Sequence, residues 1–242
     1  MFAIYKKEMR SYFTTPIGYI FMAVFLALSG FIFSLTTLLM QQSDITMYCM
    51  IIMFVYIVIL PLLTMKSLSE ERKSRTEQLL MTSPVSLTGM ILAKYFAAVS
   101  MFICTLVIST LNFYTLYKFA ELDFRGDPTV NAAVLFGNVT ALFLIGMCFI
   151  AIGVFVSALT ENQFVAAIGT IGILLFLLII GFINGLIDNF VIRTVIGWVS
   201  IFNRYQNFTH GIFDVNSMIY YLSISVVFIF LTVRIYERRR WS

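Results

Sequence analysis

Side chains able to do covalent or proton-transfer chemistry are scarce in this chain. One histidine, His210, and three cysteines, Cys49, Cys104 and Cys148, are scattered over 242 residues. The histidine has no companion at a ligand spacing, and the cysteines lie in apolar runs, where a thiol behaves as a small hydrophobe. No disulfide framework or metal spacing is visible. The residues therefore predict no catalytic group, no metal and no cofactor held by this chain. Charge is concentrated instead in the stretch 67–84, SLSEERKSRTEQLLMTSP.

That stretch suits docking better than catalysis. Ser74 and Glu77 have the spacing of a capping box ahead of Leu79, Leu80 and Met81. Ser67 and Glu70 offer a second cap upstream, and Glu71 stands at i,i+4 from Arg75. Pro84 ends the run, because the residue before a proline is pushed out of the α region. One or two short helices are expected, presenting charges and an apolar knob that needs lipid or protein to cover it. The plainer alternative is a solvated loop that only separates two membrane helices.

The elements around this stretch follow from composition. With 60% of residues hydrophobic and 12% charged, polar surface is too scarce to cover a soluble fold. An integral membrane protein is expected, with no nucleic-acid partner. A helix crosses the hydrocarbon in about 20 residues, and six segments qualify: 17–40, 47–65, 88–117, 134–158, 164–184 and 215–235. Strands would need a closed barrel, so the fold class is all-α and polytopic, one transmembrane domain over 1–242.

Charge orients the bundle. With both termini in the cytoplasm, the inner segments hold Lys6, Lys7, Arg10, Lys66, Arg72, Lys73, Arg75, Arg234, Arg238, Arg239 and Arg240. The outer ones hold Lys118, Arg125, Arg193 and Arg204, so the positive-inside rule favours this topology. Lys94, early in the third helix, is expected to snorkel, and Glu161 is the one charge in a tight inner turn. Residues 1–15 are amphipathic and should lie in the inner interface, with Thr14 or Thr15 capping the next helix and Pro16 in its first turn. The outer segment 185–214 is too apolar for an ordinary loop. It is either an interfacial helix or a pair of half-helices dipping into the outer leaflet.

Several of these residues together resemble the permease subunits of ABC-2 type ABC transporters, close to those named for bacterial gliding motility. Near the start the resemblance rests on Lys7-Glu8, Tyr12-Phe13 and Pro16. After the second helix it rests on Glu70-Glu71-Arg72, Thr76-Glu77, Leu79-Leu80 and Pro84-Val85-Ser86. Lys94 with Ala97 and Ala98 continues it, as do Gly211 and Asp214 before the last helix. One departure is Arg75, where the family commonly has Gly.

The resemblance implies an ABC-2 exporter fold in the bacterial inner membrane. Segment 70–83 would be a coupling helix received by a separate ATP-binding subunit, with Glu70, Glu71, Arg72, Arg75, Thr76, Glu77, Leu79, Leu80 and Met81 as docking residues. ATP and Mg would be bound by that partner, since no G-x-x-x-x-G-K-[ST] occurs here. Two such subunits would serve a pair of permeases, identical or related, with accessory proteins and membrane lipid as further partners. The family's subunit contact involves the first and fifth helices, which points to the small-xxx-small pair Gly181 and Gly185. Few ionisable groups in the spans disfavour an ion relay, and a lipid-like, peptide or other amphipathic cargo is expected. The competing function is a membrane anchor for a cytoplasmic ATPase complex that transports nothing. A secondary transporter would want inverted repeats, and none is evident.

Overall fold

A computed structural model of the chain describes residues 1–40, 44–74, 76, 86–119, 132–184, 193, 196–198, 200–209, 211 and 213–241. Helix α1 (Phe2–Thr14) has no fully buried residue, as befits an amphipathic segment outside the bundle. Thr15 is extended and Pro16 takes the first position of α2 (Pro16–Phe33), where its missing N–H costs nothing. The Thr15 hydroxyl does not cap α2. It donates back to the Ser11 carbonyl at 2.8 Å and so finishes α1 instead.

A π-type turn at Ser34–Leu38 closes the first span. Helix α3 (Thr46–Thr64) is followed by the short α4 (Ser69–Lys73), and α5 (Leu87–Ser109) continues beyond Thr110 as α6 (Leu111–Phe119). Then come α7 (Ala132–Leu159), α8 (Gln163–Ile183), α9 (Ile201–Thr209) and α10 (Val215–Trp241). Six stretches are long and apolar enough to cross a membrane: Pro16–Leu38, Thr46–Lys73, Leu87–Leu116, Ala132–Leu159, Gln163–Gly181 and Val215–Arg240. Among the described residues there is no strand. The all-α, six-span architecture expected from composition is the one the chain adopts.

The core sits on α7, which packs against α3, α5, α8, α9 and α10. Its apolar window is 72% buried while that of the last span is 22% buried, so α7 is the axis and α10 a peripheral helix. Small residues allow this. A methyl at Gly153 would overlap the Thr64 side chain of α3, and one at Gly146 would overlap the Phe102 ring of α5. In lipid, where apolar burial gives no helix–helix driving force, such close approach supplies the packing. Aromatic edges fill the remainder: Tyr48 meets Phe33 and Phe113 in T-shaped pairs at 5.7 and 5.6 Å.

The chain's ends meet at one end of the bundle, called basal here. Helices α1 and α4, the α7–α8 turn and the close of α10 all gather there. At the far end α9 buries Ile201, Phe202, Tyr205 and Phe208 against α7 and α8. Most of 185–199, the rest of the apolar outer segment, lies outside the described residues. Gly211 has a positive φ of 72°, which glycine tolerates. Asp214 then accepts from Ser217 Oγ at 2.6 Å, Asn207 Nδ2 at 2.9 Å and the Asn216 amide at 3.0 Å. The Ser217 hydrogen bond first, then that of Asn207, holds the Asp214 carboxyl below its usual range.

Candidate functional site

Lys94 lies in the second turn of α5 and was expected to reach out to solvent. It does not. It is 2% exposed, and its ammonium donates to Glu71 Oε1 at 2.8 Å, the Ser67 carbonyl at 2.8 Å and Glu8 Oε1 at 3.0 Å. The reason is that two other elements bring acceptors to it. Helix α1 lies along α5, held by Tyr5 OH and Ser100 Oγ at 2.8 Å, which sets Glu8 over Lys94. Helix α4 follows α3 at the same level and supplies Glu71. An ammonium has three donors and no acceptor, and all three are used. A buried lysine left alone would cost several kcal/mol, so this arrangement needs α1, α4 and α5 together. Lys7 adds a looser contact to Glu71 at 3.9 Å.

The other side of α4 is tied to α7 and α8. The expected cap from Ser67 is absent: the N-cap position is Leu68, without a side-chain cap of its own. The Leu68 and Ser69 amides instead donate to Ser157 Oγ of α7, each at 3.1 Å, and that hydroxyl donates to the Met65 carbonyl at 3.2 Å. Ser69 Oγ donates to the same Met65 carbonyl. The short helix is thus capped from 89 residues away in sequence. Arg72 donates to the Leu159 carbonyl at 3.0 Å and pairs with Glu161 at 2.9 Å. Arg239 donates to the neighbouring Ala158 carbonyl at 2.8 Å. Two guanidinium groups therefore meet the negative end of α7, where cations are favoured.

The predicted docking residues divide accordingly. Glu71 and Arg72 are fixed inward by Lys94 and by the α7–α8 turn. Glu70 stays on the surface, 3.8 Å from Lys66. Ser74 Oγ donates to the Glu70 and Glu71 carbonyls at 2.8 and 3.2 Å, closing the end of α4, and Thr76 Oγ1 donates to the Glu71 carbonyl at 3.3 Å. Arg75, Glu77, Leu79, Leu80 and Met81, with the capping box and the i,i+4 pair that involve them, lie outside the described residues. So does Gly185. Gly181 is buried in its own chain, where an added methyl would stand 2.7 Å from Ser200 Oγ and 3.0 Å from Phe202 Cβ.

Sequence reasoning missed Glu8 and Ser157 as members of this hub. For Ser157 the available signal was a hydroxyl at the end of an otherwise apolar helix, one turn before the charged inner turn. Other span polar residues serve local needs. Tyr205 OH donates to Asn138 Oδ1 at 2.7 Å, tying α9 to α7. Ser29 Oγ is hydrogen-bonded to Tyr48 OH at 2.8 Å and Ser109 Oγ at 2.6 Å, with Asn112 Nδ2 at 3.4 Å. Thr110 and Thr140 donate to the Val107 and Phe136 carbonyls.

Six spans, a buried core and a charged platform locking a short helix across one end define an integral membrane subunit. Residues 2–241 match the family described as ABC-2 family transporter protein. The chain belongs to that family and is a permease component of an ABC transporter. No curated protein matches it.

Proposed function

We propose that this chain is the membrane half of an ATP-driven exporter for an amphipathic cargo, with the basal end in the cytoplasm and segment 70–83 as the docking element for an ATP-binding subunit. The carrying observation is the double tether of α4. Lys94 joins it to α1 and α5, while Ser157, Leu159 and Glu161 join it to α7 and the turn into α8. A push on α4 by a nucleotide-driven partner would be felt by most of the bundle, which is what a packed two-state membrane part requires. The basal end also carries most of the basic residues, consistent with a cytoplasmic address. It offers Glu70 at 55% side-chain exposure as a polar contact.

Two ATP-binding subunits are proposed to serve two permeases. With Gly181 filled by Ser200 and Phe202, the second permease is assigned to the exposed face of α8 formed by Ile168, Phe176 and Ile179. The test is mild purification of wild type and Leu80→Asp from native membranes. An ATPase subunit should accompany wild type and be lost from the variant. Absence of any ATPase from wild type under several mild conditions would overturn the reading. ATPase retention without cargo movement after reconstitution would instead identify a membrane anchor.

A further inference from the structure

The charged hub opens into a pocket of about 270 Å³ on the side facing α1 and the start of α2. Beside it, a wholly apolar groove of about 200 Å³ runs between α2 and α3, walled by Ile20, Phe21 and Val24 on one side and Ile59, Leu62 and Met65 on the other. Ile17 lines both spaces. Leu63 and Lys66 line the polar one, directly beside Leu62 and Met65 of the apolar one. A polar chamber at the level of an interfacial helix thus continues into a channel of hydrocarbon character. From Met65 to Ile59 the groove runs six residues along α3, about 9 Å at ~1.5 Å per residue. That is more than half of one leaflet's hydrocarbon depth, about 15 Å.

We propose that the two spaces form one binding site for a phospholipid of the adjacent leaflet whose headgroup carries a primary amine. The apolar groove takes an acyl chain and the polar pocket takes the headgroup. Charge selects the class. The pocket wall holds Lys7, Lys66 and Lys94 against Glu8, Glu70 and Glu71, a balanced set. Lys94 is already saturated by Glu8, Glu71 and the Ser67 carbonyl. Lys66 and Glu70 stand 3.8 Å apart, too far for a hydrogen bond, with side chains 33% and 55% exposed. Lys66 therefore has ammonium donors for a phosphate, and Glu70 has carboxylate acceptors for an N–H.

A headgroup with phosphate and primary amine satisfies both. A glycerol headgroup leaves Glu70 without a cationic partner, and a choline headgroup brings positive charge but no N–H. Without a cation on the headgroup, its phosphate brings a second negative charge beside the Glu70 carboxylate, which is unfavourable. The site depends on the chain spanning a bilayer and not on the direction of transport, and because Glu70 also lies in the proposed docking segment the site is tested on the chain without an ATP-binding subunit.

The experiment is native mass spectrometry of the full-length chain in detergent, titrated with phospholipids of identical acyl chains bearing ethanolamine, choline or glycerol headgroups. Wild type should retain the ethanolamine lipid at least several-fold better than the other two. Glu70→Gln should erase that preference, lowering retention of the ethanolamine lipid and raising that of the glycerol lipid once the carboxylate charge is gone. Val24→Trp, at a position exposed on the groove, should weaken all three alike by filling the acyl channel. Equal retention of the three lipids by wild type, an unchanged preference in Glu70→Gln, or full retention in Val24→Trp would each overturn the proposal. Neither altered side chain is buried, so loss of the fold is not the expected source of an effect.

Discussion

The two ends of α7 solve the same problem by different chemistry. At the basal end Ser157 and the Leu159 carbonyl hold α4 with help from Lys94 and Arg72, Arg239 ties α10 to the Ala158 carbonyl beside them, and the joint opens onto a polar pocket. At the far end Asn138 holds α9 through one neutral bond from Tyr205, both residues being fully buried. A charged joint with several partners per residue, opening on a polar pocket, has alternative pairings within reach. A neutral joint with one dry partner has none. If the basal end receives the partner as proposed, its charged joint can rearrange under load while the neutral far joint stays fixed.

That contrast is broken most directly at Lys94. Lys94→Met leaves Glu8 and Glu71 facing each other without their cation, and breaking a largely buried ion pair costs about 3 kcal/mol or more. The expected outcome is a clear fall in the Tm of the purified chain and loss of any copurifying ATPase. Adding Glu8→Gln and Glu71→Gln to the same variant should recover much of the Tm, because no unpaired charge remains.

A smaller effect is expected at the far end. Tyr205→Phe leaves the Asn138 carbonyl oxygen unpartnered, worth about 1 kcal/mol in a membrane setting. Tm should drop slightly, ATPase copurification should not change, and added salt should make no difference. A larger loss here than at Lys94 would reverse the contrast between the charged and the neutral joint. Smallest of all, Glu161→Gln removes an ion pair whose glutamate is 64% exposed. About 0.5 kcal/mol or less is expected, and the difference from wild type should vanish in high salt as screening removes the pair.

Much of this molecule could be read from composition and spacing. Unbroken apolar runs about 20 residues long admit few structures other than spanning helices, so six spans and an amphipathic α1 follow directly. The charged segment after the second span was equally visible. Its wiring was not. Glu71 stands at i,i+4 from Arg75, which lies outside the described residues, and no local spacing points to its bond from Lys94, made because α1 and α4 converge on α5 in three dimensions. Ser67 was read as a local cap, yet Ser157 does that work from another helix. Gly181 reads as a contact between subunits, and within this chain it faces Ser200 and Phe202. Local pattern reports which groups need partners, and only the fold says who provides them.

The Ser157 bond has a consequence for modularity. Because the Leu68 and Ser69 amides at the start of α4 end on one hydroxyl of α7, α4 cannot be treated as an interchangeable cassette. A chimaera that exchanged residues 67–84 with those of another permease would inherit the new helix's surface but lose its angular reference. To be received in the same orientation, the graft would have to carry position 157 with it.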